Sequence, residues 1–209
     1  MPRLKFSDVV SRLRLDNERM NEYRATGKHL SGFAVCGFKY RYEQDNNIQI
    51  PFRMKFTLGK AFENAIATAV RRIDKSYVQN DLVIIEQYGE EITGSMDLVS
   101  YKHHHIIEIK TATSAKYEDI YIRQLKAYMI SYERLMHKTP LGSLWIYNTM
   151  NDTIKEIDIV LTKQDRDDFA RQVISYVQNG YTAGIESSAC SFCENVDCQM
   201  NPRYNEANK

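Results

Sequence analysis

Between Phe6 and Ala25, the apolar residues Val9, Val10, Leu13, Met20 and Tyr23 form an imperfect helical stripe, which predicts one helix or two short ones. Gly27, Ser31 and Gly32 break that pattern, and the following FAVCGFKYRY is not assigned to an element. Asp45, Asn46 and Asn47 mark a turn. From Leu58 to Asp74, the spacing of Phe62, Ala65, Ile66, Ala69, Val70 and Ile73 predicts a helix with one apolar face. Arg71, Arg72 and Lys75 suit its C-terminal end, and Glu63 lies near its start. Three strands follow, LVIIEQY (82–88), ITGSMDLVSY (92–101) and HIIEIKTAT (105–113), with turns at 89–91 and 102–104.

Residues 118–138 make the clearest helix, acidic at its start and basic at its end, closed by Pro140 and Gly142. SLWIYNT (143–149) and TIKEIDIVL (153–161), divided by a turn at Asn151 and Asp152, read as a hairpin. Thr162 with Asp165 caps a last helix over 165–178, which Asn179 and Gly180 end. The order helix, three strands, helix, strand predicts an α/β architecture in which one mixed sheet is flanked by helices.

Composition adds little to this picture until it is divided along the chain. The 209 residues, 43% hydrophobic and 26% charged, suffice for one domain with a sizeable core. There is no run of eighteen apolar residues and no charged-then-apolar leader, so the expectation is a soluble cytoplasmic protein, in the host cytoplasm if the gene is viral. The net charge is +1, but residues 1–42 carry nine Lys or Arg against four acids. That basic arm is a candidate phosphate-binding face or a solvated one. Three of the four cysteines, Cys190, Cys193 and Cys198, fall within nine residues, and Cys36 stands far upstream. In a reducing compartment such a group reads as a metal site before it reads as disulfides.

The stretch from Gly94 to Lys110 carries the chemistry. Asp97 lies on one strand, and Glu108 and Lys110 lie two apart on the next, so they share a face while Ile107 and Ile109 take the other. Two carboxylates suit a hard divalent cation, and a lysine beside them can orient a water or offset charge on a phosphate. A surface pair on an exposed sheet face is the competing reading, but Ile106, Ile107 and Ile109 argue for a central strand.

This pattern resembles the PD-(D/E)XK nucleases, and within them the RecB-like group. The resemblance implies a restriction-endonuclease-like core in which Asp97, Glu108 and the backbone carbonyl of Ile109 hold the metal beside Lys110. Gln124 and Tyr128 stand at the spacing of the Gln-x-x-x-Tyr that follows in that group, one helical turn apart. Where the group has Gly, three residues, then a ligand His, this chain has Gly59 and Glu63. Glu63 is therefore a candidate ligand, directly or through water, or a solvent-exposed residue. A Glu there makes a harder oxygen site suited to Mg²⁺ or Mn²⁺.

The cysteine spacing resembles the iron-sulfur branch of the same group, the CRISPR-associated RecB-like exonucleases and the nuclease domain of AddB. It implies that Cys36, Cys190, Cys193 and Cys198 bind a structural 4Fe-4S cluster, with zinc as the alternative. The implied organisation is a helical, basic N-terminal arm (1–50), a nuclease core (51–161) and a C-terminal helix with the cysteine cluster (162–209), in one compact domain. The implied activity is metal-dependent exonucleolysis of single-stranded DNA ends, 5′ to 3′. The alternatives are a DNA-end-binding or assembly module of a CRISPR-type or viral DNA-processing complex, and a structure-specific endonuclease; homo-oligomers and complex partners both fit. Phe38, Tyr40 and Tyr42, interleaved with Lys39 and Arg41, either stack bases or form an ordinary strand with one packed face. His103, His104 and His105 fall at a hairpin tip and read as a polar turn or a phosphate contact.

Overall fold

The strand His105–Ala112 is buried on both faces, because its alternating apolar and charged positions are each covered by a helix. The computed structural model describes residues 10–16, 18–19, 22, 27–49, 53–177, 186–196 and 198–203. Its elements are α1 (Leu30–Val35), α2 (Gly37–Asp45), α3 (Met54–Ile73), β1 (Tyr77–Gln87), β2 (Glu90–Ser100), β3 (His105–Ala112), α4 (Glu118–Met136), β4 (Leu141–Asn148), β5 (Thr153–Ile159) and α5 (Lys163–Val177). A short 3-10 helix, Ser188–Phe192, carries Cys190. The strands form one sheet in the order β1-β2-β3-β4-β5. Among the described strands β3 and β4 pair in parallel and the other neighbours antiparallel, and α4 makes the crossover that a parallel pair requires. No helix among the described residues is long and apolar enough to cross a membrane.

Two cores flank the sheet. The larger gathers Val83, Ile92, Met96, Val99, Ile106 and Leu144 from the strands against α1, α4 and α5. The smaller packs Phe62, Ile66, Ala67 and Val70 of α3 on Leu98, Ile107 and Ile109. The buried side of α3 is therefore rotated from the expected one, since Ala65, Ala69 and Ile73 are exposed. The strip 62-63-66-67-70 faces the sheet, and Glu63 travels with it.

Two further expectations change. The run FAVCGFKYRY is helical rather than a strand, with Cys36 as the N-cap of α2. Lys39 with Glu43 and Arg41 with Asp45 pair at i,i+4, which favours a helix over the alternation the aromatics suggest. Tyr40 is buried against Phe33 and Tyr176. Gly142 does not close α4; it lies in β4, where a Cβ would come 2.5 Å from Met129 Sδ. His137, in the left-handed conformation, ends α4 instead.

The Thr162–Asp165 cap forms as expected, with Thr162 N donating to Asp165 Oδ2 and Asp165 N donating to Thr162 Oγ1. Of the stretch 6–25, residues 10–16, 18–19 and 22 are helical and the others lie outside the described residues, as do Asn179 and Gly180.

Candidate active site

The β2–β3 ladder is short. It runs only through Leu98–Ile107, Val99–Ile106 and Ser100–His105. Beyond it the first half of β2 leaves β3 and pairs with β1, while Thr93 N donates to Lys28 O on its other edge. A gap opens between the two central strands, and Asp97 stands at its apex. The Asp97 Oδ2 accepts the Ile109 N–H at 2.9 Å, replacing the backbone partner that the parted strand no longer supplies. Asn80, which would face Asp97 across the β1–β2 pair, takes a left-handed backbone conformation, and no pairing is made there.

Glu108 projects from β3 into the larger core and is 1% exposed. Lys110 Nζ lies 2.5 Å from its Oε1, yet neither carboxylate oxygen has a hydrogen bond of good geometry. Burial pushes the Glu108 carboxyl up to about 8, against the pull of Lys110. For Lys110 burial favours the neutral amine, but the carboxylates of Glu108 and Asp97 outweigh it and hold the side chain protonated. Lys110 Nζ is also 4.0 Å from Asp97 Oδ2.

Glu63 reaches the same gap from α3. Gly59 makes the approach possible, because a Cβ there would lie 2.8 Å from Thr111 Oγ1 on β3. The Glu63 side chain is 17% exposed, and its carboxyl is raised by burial and then by the nearby Asp97 charge. Gln124 Nε2 donates to Tyr128 Oη at 3.0 Å, and Tyr128 is buried beside Glu108. Burial and the Glu108 charge both raise its phenol. Asp97, Glu108, Lys110, Glu63, Gln124 and Tyr128 thus converge on one place.

Lys60 is part of the site and was not singled out by the sequence. Its Nζ lies 3.1 Å from Glu63 Oε2 and 3.9 Å from Asp97 Oδ1, and donates to Asn80 Oδ1 at 3.3 Å. The Lys60-x-x-Glu63 spacing on a helix was the available signal. Among the described residues no three ligand side chains are already closed around a point that could hold a metal ion. Lys60, Lys110 and the Ile109 N–H occupy the carboxylates instead. The buried Glu108 oxygens, paired with Lys110 but without a hydrogen bond of good geometry, fit an oxygen-seeking cation.

The cysteines gather away from the acidic cluster, although they too are not closed around a point that could hold a metal ion. Cys36, Cys190, Cys193 and Cys198 line one small cavity together with Phe38, Lys39 and Ala189. Asn201 fastens its wall by donating to Cys193 O and Asn195 O at 2.9 and 2.7 Å. Ser188 N and Oγ donate to Asp119 at the start of α4, so this segment is anchored to the helix that crosses between β3 and β4. Burial raises the Cys193 thiol.

The three histidines diverge. His103 Nε2 pairs with Asp74, His104 Nδ1 with Tyr132 Oη, and His105 with Tyr77 Oη and Ser143 Oγ. They make a polar turn. In the basic arm, Arg12 and Arg19 flank Asp16, and Lys28 pairs with Glu90. These cations are already matched by carboxylates.

No family model matches the sequence, and no curated protein matches it. Solved structures do. The crystal structure of SSO0001 aligns over 92% of this chain and 97% of its own at 17% identity, with a TM-score of 0.63. The alkaline exonuclease LHK-Exo from Laribacter hongkongensis aligns over 77% of this chain and 91% of its own at 14% identity, TM-score 0.54. LHK-Exo in complex with dAMP covers 77% and 93% at 13% identity, TM-score 0.50. The mixed α/β core expected from the sequence is the fold that these solved structures share with this chain.

Proposed function

We propose that this chain is a metal-dependent deoxyribonuclease that hydrolyses phosphodiesters from the ends of single-stranded DNA, 5′ to 3′. The observation that carries the reading is the convergence of Glu63, Asp97, Glu108 and Lys110 where β2 parts from β3. Asp97, Glu108 and the Ile109 carbonyl, with Glu63, are the groups to hold Mg²⁺ or Mn²⁺, since all are hard oxygen donors. The bound ion supplies Lewis acidity toward the phosphate and lowers the pKa of the attacking water. Lys110 remains protonated and can orient that water or offset charge on the phosphate. Gln124 offers its amide at the rim to place the strand. LHK-Exo is named an exonuclease and one of its structures holds dAMP, a mononucleotide of the kind exonucleolysis releases.

The cysteine cavity we assign to a 4Fe-4S cluster. Support comes from four thiols, drawn from both ends of the chain, lining one cavity. Zinc is the competing occupant, and iron and labile-sulfide analysis separates them.

One observation favours a second reading. Lys60 already sits on Glu63 and Asp97, as it would in a module that keeps the fold to hold DNA ends without cutting them. End-labelled single-stranded DNA with Mn²⁺ decides: the wild type should degrade it and Asp97→Ala should not. Equal, background rates for both remove the enzyme reading. Covalently closed single-stranded circles should survive, and their cleavage would mark an endonuclease.

A further inference from the structure

The face of α4 that carries Gln124 and Tyr128 continues past the acidic cluster. Tyr117, Tyr121, Gln124 and Tyr128 recur at spacings of four, three and four, so they form one stripe. Tyr121 lies close enough to Lys110 on one side and Tyr117 on the other for both to bear on its phenol. At the far end Tyr117 stands edge-on to Phe192, with ring centroids 5.6 Å apart. Phe192 belongs to the same 3-10 helix as Cys190. The stripe therefore links the cysteine cavity to Glu108.

Exposure falls along it. Phe192 is 49% exposed, Tyr117 and Tyr121 are half-buried, and Tyr128 is buried. Lys39 Nζ sits 5.7 Å from the Phe192 centroid while pairing with Glu43, so it steadies the ring rather than offering a free charge. Lys116, exposed beside Tyr117, offers its charge to solvent. The eleven positions from Tyr117 to Tyr128 rise roughly 16 Å, the length of a few nucleotides.

We infer, on the basis of the nuclease reading, that this stripe seats the incoming single strand. Phe192 and Tyr117 stack its bases at the cysteine end, Lys116 meets its phosphates, and Tyr121 and Gln124 lead it to the acidic cluster. Exposed aromatic faces beside a cation select unpaired bases, because those in a duplex are already stacked on one another. The cysteine segment is then part of the substrate site, since whatever fixes Cys190 also fixes Phe192.

The test uses the full chain carrying Asp97→Asn to block cleavage, with fluorescent oligothymidines of about 4 to 12 nucleotides read by anisotropy. In the parent, affinity should rise with length. Phe192→Ala should flatten that rise and weaken the longest oligomer about tenfold. Phe192→Leu, which keeps apolar bulk without a π-face, should behave like Ala, and Phe192→Trp should restore the rise. Thermal midpoint and visible spectrum, measured alongside, report whether the fold and the cysteine site are intact. Equal affinities for the Ala and Trp variants, with both folded, overturn the inference while leaving the nuclease reading in place. If the parent binds no oligomer and the unsubstituted enzyme cuts none, both fall together.

Discussion

Asp97 accepts the Ile109 N–H at 2.9 Å at the point where β2 leaves β3, so one carboxylate both closes the sheet and faces the gap between the two strands. The two roles separate by substitution. Asp97→Asn keeps an acceptor for Ile109 and should stay within about 1 kcal/mol of wild-type stability, whereas Asp97→Ala should lose about 1.5–3 kcal/mol. Both should lose DNA cleavage by at least about a hundredfold. Denaturant titration and the nuclease assay, run on the same preparations, check this. An Asn variant as unstable as Ala would mean that the hydrogen bond needs the full charge.

Glu108 predicts the pH dependence of the metal-free fold. Its folded carboxyl is raised by burial to about 8, against an ordinary value of 4.5. The native state thus keeps a proton that the unfolded chain releases between those values. Its stabilisation is complete below about pH 4.5 and is lost as pH rises toward 8. Glu63, also raised by burial, acts in the same direction. In EDTA, stability should fall by on the order of 2–4 kcal/mol from Glu108 across that range. Glu108→Gln should remove most of the fall, be the more stable protein at about pH 8, and gain nothing from Mn²⁺. Calorimetry at several pH values measures it, and parallel curves for the two proteins would refute the assignment.

Lys60 contacts both Glu63 and Asp97, so a cation held by those carboxylates would have to compete with it. Its side chain is 52% exposed, so solvent screens the pairs and the competition is modest. Lys60→Met should tighten Mn²⁺ binding to DNA-free protein by about two- to fivefold, and Lys60→Arg should not. Titration calorimetry distinguishes the cases. Weaker Mn²⁺ binding in the Met variant would show that Lys60 supports the site's geometry rather than blocking it.

The central strands were legible because period-two alternation around Glu108 and Lys110, with isoleucines on both sides, fixes a buried strand. Gln124 and Tyr128 were named through the resemblance, and helical spacing then accounts for their lying one turn apart on α4. The parting of β2 from β3 was not, because it depends on where Lys28 and Thr93 meet from distant parts of the chain. Lys60 stayed hidden for a related reason: its partners Asp97 and Asn80 reach it only once α3 has docked through Gly59. The α2 segment misled because Phe38, Tyr40 and Tyr42 alternate like a strand, while its i,i+4 ion pairs and its Cys36 cap decide for a helix.

The cysteine cavity makes the last prediction. Cys36 caps α2, and Cys190, Cys193 and Cys198 line the same cavity from more than 150 residues away. A group bound to all four would close a loop of that length, worth about 5 kcal/mol if the link were as stiff as a covalent bond. Cluster-loaded protein should therefore melt roughly 10–20 °C above chelator-stripped protein. Cys36→Ser should lose broad visible absorption and most of that gain, although three cysteines remain. Because burial raises the Cys193 thiol, loading requires a proton to leave a poorly acidic group, so retention should weaken as pH falls. A colourless wild type with the same thermal gain and bound zinc would replace iron by zinc. A Cys36→Ser protein with unchanged colour and melting would remove Cys36 from the ligand set and leave the two ends of the chain joined by packing alone.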